Sequence, residues 1–206
     1  MEESFDAETV AELTRRAKVE LRKRARGLRA AIPAAAIAER SARIVSRLEA
    51  EPVIRAARSV SLFWPIPGKN EVDLRALAES LRARGVITAW PRIDSATRVM
   101  TFHRVDDPAS FVPGPMGLGE PAADAPVVDA LDVVIVPALL VDGSGYRLGY
   151  GGGFYDRALP TLCPPAVSIA VAFDFQLMPE VPHAAHDVAV MRVVVESRAF
   201  DAAPAD

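Results

Sequence analysis

Residues 131–136, Leu-Asp-Val-Val-Ile-Val, form a nearly continuous β-branched run that ends at Pro137. A run with so little polar face suits a strand covered on both sides in a parallel or mixed sheet. Shorter apolar runs recur at 59–64, 86–90, 99–105, 167–173 and 190–195. Between them, 73–84 has helical spacing closed by Gly85, and 154–162 can start a short helix ending near Pro164. The Pro- and Gly-rich segment 108–126 is too polar and broken for core, and it reads as a long loop crossing the surface.

The chain starts on helices. Val10, Leu13, Ala17, Leu21, Leu28 and Ile32 recur at helical spacing, with arginines and lysines filling other positions, so one long amphipathic helix with a basic flank is expected over 10–32. Pro33 then suits the first turn of a second helix, whose Ile37, Ser41, Ile44, Val45 and Leu48 give a narrower stripe. The tail 202–206 is expected to fray. The whole predicts an α/β fold: helices on both faces of a central, mostly parallel or mixed sheet, Rossmann-like and three-layered. A length of 206 residues fits one domain over 1–206 better than two small ones.

A formal net charge of −3 gives no global electrostatic reason to bind nucleic acid or an anionic membrane, so small molecules are the expected partners. Cys163 is alone, which excludes an intrachain disulfide, and no histidine is placed to be its base; it reads as a core or loop residue. The acidic N-terminus lacks the apolar stretch of a signal peptide, and 131–141 is too short to span a bilayer. A cytoplasmic protein is expected. Nothing fixes the oligomeric state, for which a monomer is the default.

The most informative segment runs from Asp142 to Arg157, DGSGYRLGYGGGFYDR. Gly149, Gly151, Gly152 and Gly153 stand just before a predicted helix, where bare backbone amides and the positive end of the helix dipole can receive phosphate oxygens. Arg147 adds a charged fork for the same phosphates, and Asp156 a hard oxygen ligand for their Mg²⁺. No Gly-Lys-Ser/Thr follows, as a Walker A loop requires, and Phe154 stands where a dinucleotide fingerprint needs its third glycine. A purely structural turn is the plainer reading of the glycines. His183 and His186 are a pair without a third ligand, so zinc is not expected.

RLGYGGGFYDR, preceded by VVIVPALLVDGSGY, resembles the signature of the 5-formyltetrahydrofolate cyclo-ligases, also called methenyltetrahydrofolate synthetases. Lys18-x-x-Leu21-Arg22 resembles that family's N-terminal nucleotide motif, Trp64-Pro-Ile-Pro-Gly-Lys-Asn-Glu71-Val-Asp73 its substrate-side loop, and Ala172-Phe-Asp-Phe-Gln176 with His186-Asp187-Val188 its C-terminal portion. The likeness runs over 18–196. It implies ATP contacts from Lys18, Arg22, Arg147, Gly149, Gly151, Gly152, Gly153 and Tyr155, with Arg147 and Tyr155 in catalytic roles. It implies folate contacts from Trp64, Glu71, Tyr150 and Phe154, and Mg²⁺ held by Asp156 and Asp187.

Plainer readings stand beside these. Lys18 and Arg22 lie four apart and could be solvated surface; Glu71 could sit near a helix start; Asp187 could be a turn aspartate. The chain departs from the family pattern in a longer loop at 65–70, in Trp64, and in Met191 and Val195, where relatives commonly carry Asp and Thr. The activity implied is ATP-dependent closure of 5-formyltetrahydrofolate to 5,10-methenyltetrahydrofolate, with release of ADP and phosphate. The alternatives are a related ATP-dependent ligase acting on another heterocycle and a non-catalytic folate or nucleotide sensor.

Overall fold

The computed structural model describes residues 6–114 and 118–203. Helix α1 spans Ala7–Ala30, capped by the Asp6 side chain on the Thr9 amide, and α2 spans Ala34–Ala50. The short α3 covers Pro52–Ala56 and leads into strand β1, Ser59–Ser61. Then come α4 (Arg75–Ala83), β2 (Ile87–Ile93) and β3 (Met100–Arg104). The hairpin of β4 (Val112–Pro113) and β5 (Gly119–Glu120) precedes β6 (Val133–Pro137). A second small hairpin, β7 (Leu140–Val141) with β8 (Arg147–Leu148), leads to α5 (Phe154–Leu162). Strands β9 (Val167–Val171), β10 (Arg192–Val194) and β11 (Ala199–Asp201) finish the chain.

One seven-stranded sheet orders these strands β11-β10-β9-β6-β1-β2-β3. The pairs from β10 through β9, β6 and β1 to β2 are parallel, and the antiparallel β3 and β11 close the two edges. The chain thus winds outward from β1 to β2, then crosses back and continues from β6. Between β1 and β6 the direction of winding reverses, leaving a crevice beyond their carboxyl ends where ligands of such sheets gather.

Strand alternation explains the layers. In β6, Val133 and Ile135 face the core beneath α2 and α4, while Val134 and Val136 face the core beneath α5. Ile169 and Val171 of β9 repeat the first direction and Ala170 the second. Each face carries helices, as the β-branched run required. The α2 stripe Ile37, Ser41, Ile44, Val45 and Leu48 is buried as read from its spacing. Val195 is wholly buried beneath α5, whereas Met191 is exposed.

Three expectations need correction. The apolar residues of α1 do not form a buried seam: Val10, Leu13 and Leu28 are 48%, 51% and 59% exposed, while Ala25 and Arg29 are buried. A third, small core of Ala25, Leu139, Leu140, Leu148 and Val181 forms where α1 lies over the β7–β8 hairpin, leaving that helix its polar edge to turn inward. Segment 108–126 is not merely a surface loop. Its β4–β5 hairpin packs beside β2, Phe111 joins the main core, and Glu120 is buried. At the tail, the Ala202 amide donates to Met191 O at 2.9 Å and that of Ala203 to Gly143 O at 3.1 Å, so these residues are tied down; residues 204–206 lie outside the described residues. No helix among the described residues is long and apolar enough to cross a membrane.

Candidate active site

A cavity of about 1120 Å³ opens at the carboxyl ends of β1, β2 and β6. Phe63, Trp64, Ile66 and Glu71 reach it from the segment after β1, Pro137, Ala138 and Leu139 from the turn after β6, and residues 147–156 from the glycine segment. The inner edge of α1 supplies Thr14, Lys18 and Arg22. Every residue read from the sequence as a site candidate lines this one space. They divide into a charged half and an aromatic half.

The charged half rests on the β7–β8 turn. Asp142 clamps it: one carboxylate oxygen accepts from the amides of Ser144 and Tyr146, both at 3.0 Å, and the other from Val181 N at 2.8 Å. Arg147 then emerges with its guanidinium buried. It donates to Val188 O and, at 3.0 Å, to Asp156 Oδ1. Burial lowers its pKa and Asp156 opposes the shift; a guanidinium so placed keeps its charge.

Gly151 and Gly153 have φ of 102° and 65°, a region that side chains rarely enter, and Gly153 is the N-cap of α5. A Cβ added at Gly149 would meet nothing within 4 Å, so the chain leaves open space there. The first intrahelical amide bond is Arg157 N to Gly153 O, which leaves the preceding amides of α5 available to an anion.

Helix α1 stitches itself to this loop with cations spaced by one turn. Lys18 Nζ pairs with Asp187 Oδ2, and Arg22 Nε donates to Gly149 O at 2.9 Å. Burial pushes the Asp187 carboxyl up, but Lys18 and the Ala184 amide more than offset it, and the net shift is downward. Asp156 and Asp187 each spend one oxygen on these contacts: the Arg147 and Val188 bonds fall on Oδ1 of Asp156, the Lys18 and Ala184 bonds on Oδ2 of Asp187. No group of three or more His, Cys, Asp or Glu gathers among the described residues. Two hard carboxylates fit a Mg²⁺ that takes its remaining ligands from phosphate and water. His183 instead stacks on Tyr146, with ring centroids 3.6 Å apart.

Two turns later along the same edge of α1 comes a group that the sequence reading missed. Arg29, 3% exposed, donates to the Tyr150 hydroxyl and lies 3.8 Å from Glu71 Oε1. Its positions at i+7 from Arg22 and i+11 from Lys18 are a signal the sequence did carry. Glu71, itself 7% exposed, accepts from Ile66 N at 2.7 Å and so closes the loop 65–70 on itself. Asn70 ties that loop to the end of α1 through Arg29 O and Ile32 O. Burial raises the Glu71 carboxyl above its ordinary value, against the pull of the Ile66 amide, Arg29 and Tyr150. The Tyr150 phenol is pushed up to about 12 by burial and by Glu71.

Tyr155 sits where the two halves meet. Its hydroxyl is buried without a hydrogen-bond partner among the described residues, and burial raises its pKa, with Arg147 opposing and Glu71 adding to the shift. The aromatic half is a mutual edge-to-face packing of Trp64, Trp90 and Phe111, with centroids 5.4–5.6 Å apart. Glu120, buried in the wall beside them, accepts from Ile93 N at 3.4 Å, and burial raises its carboxyl. Trp90, Phe111 and Glu120 were not read from the sequence, because they come from a strand interior and from a segment without periodicity. Cys163 is half-buried, and burial raises its thiol pKa, as suits a residue with no nucleophilic task.

With this geometry in view, the sequence profile of the 5-formyltetrahydrofolate cyclo-ligase family matches residues 14–196. The chain belongs to that family. It is 30% identical to the 5-formyltetrahydrofolate cyclo-ligase of Escherichia coli over 162 residues, 76% of this chain and 87% of that protein. It is 44% identical to the Mycolicibacterium smegmatis 5-formyltetrahydrofolate cyclo-ligase over 94 residues, a match spanning 44% of this chain and 48% of that protein. The solved structure of Aquifex aeolicus 5,10-methenyltetrahydrofolate synthetase superposes with a TM-score of 0.79 at 29% identity, covering 92% of this chain and 94% of that one. The cyclo-ligase profile includes both α1, from Thr14 onward, and the glycine segment, the two parts that face each other across the charged half.

Proposed function

We propose that the chain uses ATP to cyclise 5-formyltetrahydrofolate to 5,10-methenyltetrahydrofolate, releasing ADP and phosphate. The observation that carries this reading is a single cavity in which an open glycine cradle with three converging cations adjoins an aromatic compartment holding buried carboxylates. A triphosphate suits the first half and a flat heterocycle with N–H donors the second. The N5-formyl oxygen attacks the γ-phosphorus as the β–γ bridging oxygen leaves with ADP. N10 then attacks the activated carbon, its proton departs, and the C–O bond breaks to release phosphate.

The protein's share is alignment and charge neutralisation, where phosphoryl transfer obtains most of its catalysis. Lys18, Arg22, Arg147 and the amides at Gly149 to Tyr155 hold the triphosphate. Tyr155, kept neutral, offers its unpaired hydroxyl to an oxygen of the reacting group. Glu71 accepts from pterin N–H groups, and Trp64, Tyr150 and Phe154 wall the ring. Asp156 and Asp187 hold Mg²⁺, which supplies positive charge against the phosphate oxygens.

Purified protein with ATP, Mg²⁺ and 5-formyltetrahydrofolate should develop the near-ultraviolet absorbance of the methenyl product, one ADP per turnover. ATP hydrolysis driven by another heterocycle, with no response to this folate, would favour a related ligase instead; folate binding without ADP formation would mark a sensor.

Two variants test the division of labour. Lys18→Ala and Arg22→Ala should each raise the KM for ATP about tenfold at low ionic strength, since each removes a charge-assisted contact worth about 1.5 kcal/mol. If both keep the parental value, α1 only covers the sheet. Glu71→Gln keeps an acceptor for Ile66 N but loses the charge, so KM for the folate should rise about tenfold and KM for ATP stay put. The reverse pattern would assign Glu71 to the nucleotide.

A further inference from the structure

Four carboxylates line the cavity, Glu71, Glu120, Asp156 and Asp187. Three have cations beside them: Glu71 lies 3.8 Å from the Arg29 guanidinium, Asp156 pairs with Arg147, and Asp187 pairs with Lys18. Glu120, 3% exposed, has no such partner among the described residues. Its Oε2 accepts only a long bond, 3.4 Å from Ile93 N, and its Oε1 accepts from no group among the described residues. Arg92, on the neighbouring strand β2, donates instead to Pro121 O. A buried carboxylate left so bare burdens the fold, and such groups gather where chemistry is done.

The β4–β5 hairpin holds this carboxylate in one place. Glu120 pairs with Val112 across the hairpin, next to Phe111, and a Cβ added at Gly114 would stand 2.5 Å from the Glu120 Cδ. Only a glycine at 114 leaves room for the side chain. Ile93, which anchors Oε2, follows Trp90 by three residues on β2. Glu120 thus stands beside the two rings, Trp90 and Phe111, that pack edge-on against Trp64.

We propose that Glu120 accepts the proton that N10 of the folate gives up as the ring closes. This deepens the folate reading above and rests on it. With the pterin among Trp64, Tyr150 and Phe154, the aminobenzoyl ring carried by N10 continues along the wall of Trp90 and Phe111. N10 must come within about 3 Å of the activated carbon to react, and at that junction the wall supplies Glu120. As the N10–C bond forms, N10 becomes cationic and its proton passes to the Glu120 carboxylate. The nitrogen lone pair then re-forms a C=N bond, and the C–O bond breaks with its electrons leaving on phosphate. The carboxyl returns its proton to solvent as the product departs.

The other groups lining the cavity are poorly placed for this task. Glu71 already accepts from Ile66 N, His183 is stacked on Tyr146, and the side chain of His186 is 82% exposed. Burial raises the Glu120 carboxyl above its ordinary value, against the Ile93 amide and Arg92, which moves it toward the range where a base holds a proton well.

The test is a single turnover with protein in excess over 5-formyltetrahydrofolate, following ADP and the methenyl absorbance together. In the parent, the two should appear in step. Glu120→Gln keeps the size and an acceptor for Ile93 N, so ADP should form at the parental rate while methenyl product forms about 100-fold more slowly, the range of a lost general base. Glu120→Asp keeps a carboxylate set back from N10 and should fall between the two; it provides the same comparison should Glu120→Gln fail to fold. Loss of packing alone would slow both signals together. Methenyl formation that keeps pace with ADP in both folded variants, whether fast or slow, therefore overturns the base and leaves the folate reading intact. A parent that forms neither product from this folate overturns the folate reading, and the base with it.

Discussion

Asp156→Asn is expected to lower turnover about 100-fold, which is about 2.7 kcal/mol of barrier, in protein that remains folded. Asp156 is the first-turn acid of α5, immediately beyond the glycine cradle. In the free protein its Oδ1 accepts from Arg147 Nη2 and from Val188 N at 3.2 Å. Asparagine retains one oxygen for those two donors, so the structural loss should be about 1 kcal/mol. What it cannot retain is the charge. A carboxylate beside a bound triphosphate repels it unless a cation lies between, and the same cation then neutralises charge on the transferred phosphoryl group.

Rate measured against Mg²⁺ should therefore show partial recovery at high metal, and Mg²⁺ should strengthen ATP binding in the parent far more than in the variant. Near-parental turnover would remove Asp156 from the metal site. A rate loss with an unchanged Mg²⁺ effect on ATP binding would leave it only the task of positioning Arg147.

Arg29→Met should cost about 3–5 kcal/mol of stability at pH 7.5, because it strands the buried Glu71 carboxylate without its cation. Against the about 5–15 kcal/mol that holds a typical domain folded, this is a large fraction. The loss should depend on pH in a definite direction. Glu71 is held above its ordinary value of 4.5, so the folded chain binds that proton more readily than the unfolded chain. That contribution is fully present below 4.5 and is lost as pH rises through the folded value. Removing Arg29 takes away a cation that opposed the burial and pushes Glu71 higher still.

The difference between variant and parent should thus be small near pH 4.5 and largest at neutral pH, as read from urea unfolding at both. A loss of equal size at the two pH values would mean that Arg29 acts by packing and by its bond to Tyr150, not by its charge. Should the variant fail to fold at pH 7.5, Arg29→Lys provides the same comparison with the cation kept.

Much of the fold was legible because it depends on local spacing. The β-branched run at 131–136 and the α2 stripe state their burial by period, and α5 falls on its expected residues. The glycine segment was legible as a tight turn opening a helix, because backbone freedom is written into the order of residues. Hydropathy misread the buried edge of α1, because it assigns that edge by apolar residues: the edge turned inward carries Lys18 and Arg22, which the resemblance had assigned to the site, and Arg29, which nothing had singled out, each with partners far along the chain. Segment 108–126 has no period at all, so nothing local announced that Phe111 and Glu120 would wall the site.

The sequence by itself determined the elements, their layers and the turn of the glycine segment, since those follow from the period of apolar residues and from which backbones can bend. Only the tertiary structure decided where the chemistry is assembled. The reversal of winding between β1 and β6 opens the crevice, and residues as distant as Lys18 and Asp187 meet across it. Such meetings are set by long-range packing and by the need to pair buried charge, and spacing along a chain carries no record of either.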